Sequence, residues 1–221
     1  MQQHGPDRSI PLVLIGLGNP GPEYQGTRHN VGFEVADRVV ERLRRPVEGT
    51  ATGATLTSGS WKWRKVHVLK PTRFMNLSGD PVRLFLEHHR LTVPQCLVVV
   101  DDLDLPAGTI RIRGHGSSGG QKGLEDIISA LGTQKVARCR IGIGRPQEGQ
   151  DVSKHVLERP EGAQKHDLER SLARATESVL CWLVEGVMNA ARRYNGPLPE
   201  PEIEIPEGLN DVDLADTGTE S

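Results

Sequence analysis

Between Gly16 and Asn30 the chain reads GLGNPGPEYQGTRHN, a glycine- and proline-rich segment set between two different apolar patterns. Before it, Pro11 to Ile15 (PLVLI) is an apolar run of strand length. After it, Val31, Val35, Val39, Val40 and Leu43 recur at helical spacing. A strand therefore feeds a polar loop and the loop feeds a helix. That succession restricts the chain to α/β architectures, whose sites are built at such junctions.

Gly16, Gly18 and Gly21 satisfy G-x-G-x-x-G, the pattern of dinucleotide-binding loops. In those loops the helix opens inside the glycine motif, so that its N-terminus faces the pyrophosphate. Here Pro20, Pro22 and a further polar stretch delay the helix to about Asn30. The loop instead displays Asn19, Tyr24, Arg28, His29 and Asn30. Structurally this is a glycine-rich turn with Asn30 as a helix cap; chemically, His29 places one titratable base just before a helix, which marks a site.

The length of 221 residues suits one domain with a real core. No apolar run is long enough to span a bilayer, and MQQHGPDRS at the N-terminus has neither a signal-peptide core nor an arginine-rich amphipathic pattern. A cytoplasmic protein is the expectation. Cys96, Cys139 and Cys181 are scattered and odd in number, without zinc spacing, and read as reduced structural thiols. No metal and no cofactor are expected. The net charge of −2 conceals an asymmetry: Glu200 to Ser221 carries eight of the 29 acidic residues and no Lys or Arg, so 27 basic residues face 21 acidic ones in the body. A mildly basic body is compatible with a polyanionic partner.

Further along, Arg44 to Gly53 reads as turn, with strand candidates at Ala54–Thr57 and Trp61–Leu69. Lys70 to Asn76 (KPTRFMN) is a loop, and Ser78 is the expected cap of a helix carrying Val82, Leu84, Phe85 and Leu86. Leu97 to Val100 is a buried-type strand that ends abruptly in Asp101-Asp102-Leu103-Asp104, and carboxylates at the end of a central strand are site candidates. Thr109–Arg113 alternates isoleucine with arginine as a strand. Gly114 to Gly120 (GHGSSGG) opens a helix over about Gln121–Leu131; it lacks the Gly-Lys-Ser/Thr of a phosphate loop because Gln121 separates Gly120 from Lys122. Val136–Ile143 is a further strand with Arg138 and Arg140 on one face, followed by a loop through Asp151, and Gln164–Tyr194 reads as one long amphipathic helix. The fold class is α/β: one domain over 11–196, a twisted, mixed, mostly parallel sheet flanked by helices, with a flexible N-terminus (1–10) and an acidic disordered tail (197–221). No internal repeats are present.

Three strand-end loops thus offer Asn19 with His29, Asn76, and Asp101. A carboxylate beside a histidine fixes the imidazole tautomer and stabilises the imidazolium, leaving the other ring nitrogen to take a proton from water. Amide side chains hold a substrate carbonyl or the attacking water. No Ser or Cys sits in a nucleophile context such as G-x-S-x-G, which points to direct attack by water.

The stretches GLGNPGPEYQGTRHNVGF, KPTRFMNLSG, VVVDDLDLPAGTIRIR, GSSGGQKGLEDII and RCRIGIGRP stand in an order and spacing that resembles the bacterial peptidyl-tRNA hydrolase family, from Leu12 to about Tyr194. The resemblance implies a single α/β domain that cleaves the ester joining a peptide to the tRNA 3′ ribose, acting on the acceptor stem and 3′ end as a monomer. It implies His29 as general base, Asp101 as the group that orients and polarises it, and Asn19 and Asn76 as holders of the peptidyl carbonyl and the 3′ end. Tyr24 lies in the same motif and Met75 lines the cleft. Arg113 and Arg140 match positions that hold tRNA phosphate, Arg113 standing where Lys is frequent.

The sequence departs from the family in the second glycine loop, where the usual GGHNGL is GGQKGL. Gln121 replaces a histidine that helps line the site, and Lys122 replaces an asparagine that helps hold water or substrate. Gln still makes hydrogen bonds; Lys only donates and brings a charge that suits an oxyanion, a phosphate or the terminal ribose. Two other classes stand beside the hydrolase: a non-catalytic RNA-binding relative, disabled at Gln121 and Lys122, and an oxidoreductase using the first glycine loop for NAD.

Overall fold

The computed structural model describes residues 10–199 of the 221. Of the flexible terminus and acidic tail expected at 1–10 and 197–221, only Ile10 and the stretch from Pro197 to Pro199 fall within that range.

Among the described residues seven strands form one sheet: β1 (Leu12–Gly16), β2 (Arg44–Ala51), β3 (Ala54–Trp61), β4 (Arg64–Pro71), β5 (Cys96–Asp102), β6 (Ile110–Arg113) and β7 (Ala137–Gly142), in the order β2-β3-β4-β1-β5-β7-β6. The central run β4-β1-β5-β7 is parallel, and antiparallel strands flank it: β3 and β2 on one side, β6 on the other. Among the described residues five α-helices flank the sheet: α1 (Val31–Arg42), α2 (Gly79–His89), α3 (Lys122–Leu131), α4 (Val152–Leu157) and α5 (Gly162–Tyr194).

β5 shows why the sheet is the centre. All its residues are buried, and alternate side chains enter opposite cores: Leu97 and Val99 pack with α1 and α5, Val98 and Val100 with α2 and α3. A strand covered on both faces needs a continuous apolar run, and Leu97 to Val100 supplies it. β1 lies between β4 and β5, so the connections leaving β1 and β4 run to opposite sides of it. A crevice at the carboxyl ends of the strands follows from that reversal.

Four expectations are corrected. Arg44 to Gly53 is mostly strand rather than turn: β2 is exposed over almost its whole length, so no burial pattern betrays it, and the turn is confined to Thr52-Gly53. The Trp61–Leu69 strand is broken at Lys62-Trp63, where Lys62 adopts φ 53° and folds β3 back on β4. Ser78 does not cap α2. It continues helically from the short turn Met75–Leu77 and its hydroxyl donates to the Met75 carbonyl, while Asp126 on α3 accepts from the Gly79 N–H at 2.6 Å. The long helix α5 is interrupted at Gly186 (φ 81°, ψ 175°), a conformation open to glycine. Beyond the break, Asn195 bonds both the N–H and the carbonyl of Ile112 and Gly196 pairs with Ile110, so the chain seals the β6 edge.

The three cysteines are buried free thiols, and burial pushes those of Cys96 and Cys139 up to about 12. They are inert packing groups. No helix among the described residues is long and apolar enough to cross a membrane.

Candidate active site

At the carboxyl ends of β1, β4 and β5 lies a cleft of about 530 Å³, within the range of small-molecule sites. Its lining includes Asn19, His29, Met75, Asn76, Asp101, Gln121, Lys122 and Arg140. Eight of the ten residues marked by sequence therefore converge on one space. Tyr24 and Arg113 do not line it: Tyr24 is in the short turn Pro22–Tyr24, and Arg113 is exposed at the end of β6.

The glycines of the first loop serve packing. A Cβ on Gly16 would lie 2.3 Å from the Gly32 carbonyl oxygen, and one on Gly18 would enter the Phe33 ring. The start of α1 is thereby pressed against β1, which carries His29 to the cleft wall. This contact accounts for Gly16 and Gly18 without a pyrophosphate, and Gly21, at φ 119°, holds a conformation open to glycine.

His29 Nδ1 lies 2.8 Å from Asp101 Oδ2. An ionised carboxylate only accepts, so Nδ1 carries the proton and Nε2 is the nitrogen left for the cleft. The other carboxylate oxygen, Oδ1, accepts from Gln121 Nε2 at 3.1 Å. Gln121 Oε1 in turn accepts from the Leu124 N–H at 2.6 Å as the cap of α3. Asn19 Oδ1 accepts from the Met75 N–H at 2.8 Å, which fixes the amide so that its NH₂ remains for a ligand. Asn76, in the turn after Met75, is exposed at the cleft.

The cleft cations differ in their freedom. Arg140 donates to Asp102 at 2.9 Å and to the Ser117 carbonyl at 2.8 Å, and Arg145 is paired with Asp104. Lys122, at the first position of α3, is exposed and has no hydrogen bond or ion pair among the described residues. An anion entering the cleft meets Lys122 without having to break an existing pair.

Three residues named from sequence have structural roles that the sequence did not indicate. Asn30 is buried beside the loop, and its side chain binds the backbone of Asn19. Arg28 is buried too, donating to the carbonyls of His155 and Glu158 and to Gln164 Oε1, so it ties the His29 loop to α4 and α5. Arg138 is 1 % exposed and donates to the carbonyls of Val136, Ser117 and Gln134, holding the second glycine loop. Burial, with Arg140 and Arg113 nearby, brings its guanidinium down to about 10. Only the polarity of these residues was visible in the sequence, and the partners of Arg28 stand far along the chain.

Residues 13–202 match the family described as Peptidyl-tRNA hydrolase. This chain belongs to that family. The peptidyl-tRNA hydrolase of Halalkalibacterium halodurans is 39% identical over 83% of this chain and 99% of its own length, and that of Caldanaerobacter subterraneus subsp. tengcongensis 41% over 83% and 99%. Among solved structures, an Arg119Gln mutant of Acinetobacter baumannii peptidyl-tRNA hydrolase superposes with a TM-score of 0.79 at 30% identity, covering 87% of this chain and 98% of that one. A peptidyl-tRNA hydrolase complexed with N-propanol gives 0.79 at 31%, covering 88% and 100%. The activity that membership carries is ester hydrolysis on peptidyl-tRNA.

Proposed function

We propose that this chain frees tRNA from prematurely released peptidyl-tRNA by a water that His29 activates, with no acyl-enzyme. The observation that carries this reading is the His29–Asp101 pair in the lining of the cleft, which engages Nδ1 and leaves Nε2 as the other ring nitrogen. Nε2 removes a proton from water as it attacks the ester carbonyl; Asp101 stabilises the imidazolium that forms. That proton then passes to the departing 3′ oxygen of the ribose. The Asn19 NH₂ group and Asn76 polarise the carbonyl and hold the 3′ end, and Lys122 offsets negative charge developing on the carbonyl oxygen or already present on the terminal phosphate.

The acceptor stem lies along the Arg113 and Arg140 side of the sheet, where phosphates give affinity without sequence reading. The protein acts as a monomer in the cytoplasm, a setting that suits its buried free thiols. Hydrolysis of N-blocked aminoacyl-tRNA in ¹⁸O-labelled water tests the chemistry. Label in the carboxylate of the released acid, with no acyl-protein trapped on quenching, is expected; an acyl-protein adduct overturns direct attack by water.

A further inference from the structure

Gln121 stands where the usual family pattern has a histidine, and its sequence position assigns it to the substrate. Its two N–H groups and one lone pair of its oxygen are already engaged within the protein. Oε1 is occupied by the Leu124 N–H at 2.6 Å, and the two N–H groups of Nε2 face Asp101 Oδ1 at 3.1 Å and the Met75 sulfur at 3.2 Å. The helix contact settles which end of the amide is which, since Oε1 alone can accept from Leu124. Asp101 is 3 % exposed, and its two oxygens each take one donor, His29 on Oδ2 and Gln121 on Oδ1.

We infer that Gln121 is a positioning residue, the third member of a Gln121–Asp101–His29 chain that anchors the base to the N-terminus of α3. The inference rests on the proposed role of His29. An amide donates to the buried carboxylate and holds it in one rotamer without titrating itself, so the support it gives Asp101 does not vary with pH. Without that donor the carboxylate is less satisfied and draws the proton on His29 Nδ1 more strongly. The cleft's other charged groups, Asp102 with Arg140, Asp104 with Arg145, and Lys122, are left unchanged by substitutions at 121.

Gln121→Asn separates this role from capping, because Asn is a favoured helix cap but is too short to span to Asp101. Expected are a melting temperature lower by a few degrees, because the buried Asp101 loses a donor, kcat on N-blocked aminoacyl-tRNA lower by about tenfold, an unchanged KM, and an acidic limb of the pH–rate profile moved to higher pH. Gln121→His, which restores an N–H donor, is expected to recover most of the rate. A raised KM with unchanged kcat and unchanged limb overturns the inference in favour of a substrate contact, and so does wild-type behaviour in every measure. A parallel readout needs no turnover: the ¹⁵N titration of the His29 ring in the free protein moves to higher pH in Gln121→Asn if the chain exists, and stays in place if it does not. Absence of His29-dependent hydrolysis by the wild-type protein defeats the proposed function, whereas an unmoved His29 titration defeats the positioning role.

Discussion

Asn30 and Asn19 are joined by two reciprocal hydrogen bonds: the Asn19 N–H donates to Asn30 Oδ1 at 2.9 Å, and Asn30 Nδ2 donates to the Asn19 carbonyl at 3.0 Å. The first residue of α1's entry is thus a clamp on the loop backbone, not a cap, and α1 has no side-chain cap at that position. The clamp holds Asn19 so that its own side-chain carbonyl meets the Met75 N–H. Asn30→Leu removes both bonds and buries two unpaired backbone groups. It is expected to cost about 2–4 kcal/mol in chemical denaturation and to lower kcat more than tenfold, about 1.4 kcal/mol or more of barrier. Asn30→Asp, which keeps the acceptor, falls between the two.

The contact between α1 and the sheet gives a sharper steric prediction. A Cβ on Gly32 would stand 2.4 Å from the nitrogen and oxygen of Leu17 and from the Val99 oxygen, all backbone atoms. Gly32→Ala forces the helix away from β1 and β5, at a cost of about 3 kcal/mol or more. Because His29 rides on the start of that helix, activity at temperatures where the variant is fully folded is expected to fall as well. A variant with wild-type stability and rate would show that the contact is not needed.

Acid stability has a defined origin in His67. It is 5 % exposed in β4, accepts or donates a hydrogen bond with Ser58 at 2.8 Å, and packs on Phe85 and His89. Burial, with Lys65 and His89 nearby, lowers it from 6.5 to about 4. The unfolded chain takes up this proton as pH falls below 6.5, and the folded protein resists until about 4. Stability from this group is complete above that window and is lost across it, by about 3 kcal/mol in all. His67→Phe is expected to flatten the denaturation free energy between pH 7 and 4 by about this amount; an unchanged slope would place the acid sensitivity elsewhere.

The two arginines matched to tRNA phosphate separate by experiment. Arg113 is exposed, so Arg113→Ala should leave the melting temperature alone, weaken tRNA binding, and reduce the slope of log affinity against log salt by about one. Arg140 is paired with the buried Asp102, and Arg140→Ala leaves that carboxylate without its cation, which costs about 3–5 kcal/mol of stability. Thermal melts and binding titrations over a salt series on both variants distinguish these outcomes.

The legible and illegible parts of this chain divide along a physical line. Continuous burial in β5, periodic burial in α1 and the abrupt switch to Asp101 all follow from local composition, and they located the sheet's centre and one edge of the cleft. β2 escaped because it has scarcely any buried face, and the Gly186 break escaped because apolar spacing continues across it. Site residues were recognisable by type, yet their partners were not. Asn30 reads as a cap until Asn19 is seen beside it, Ser78 reads as a cap until Asp126 is seen to do that work, and the contact of Gln121 with Asp101 is invisible until the two are seen together. Each of those assignments depends on residues 11 to 47 positions away, which periodicity cannot report.

The central claim is that His29 activates the water that cleaves the ester. Release of an N-blocked amino acid from its tRNA should be compared between the wild-type protein and His29→Ala, with tRNA binding measured on the same preparations. Loss of release by at least about a hundredfold with tRNA affinity retained is the result predicted for removal of a general base. Release at the wild-type rate by His29→Ala would contradict the account.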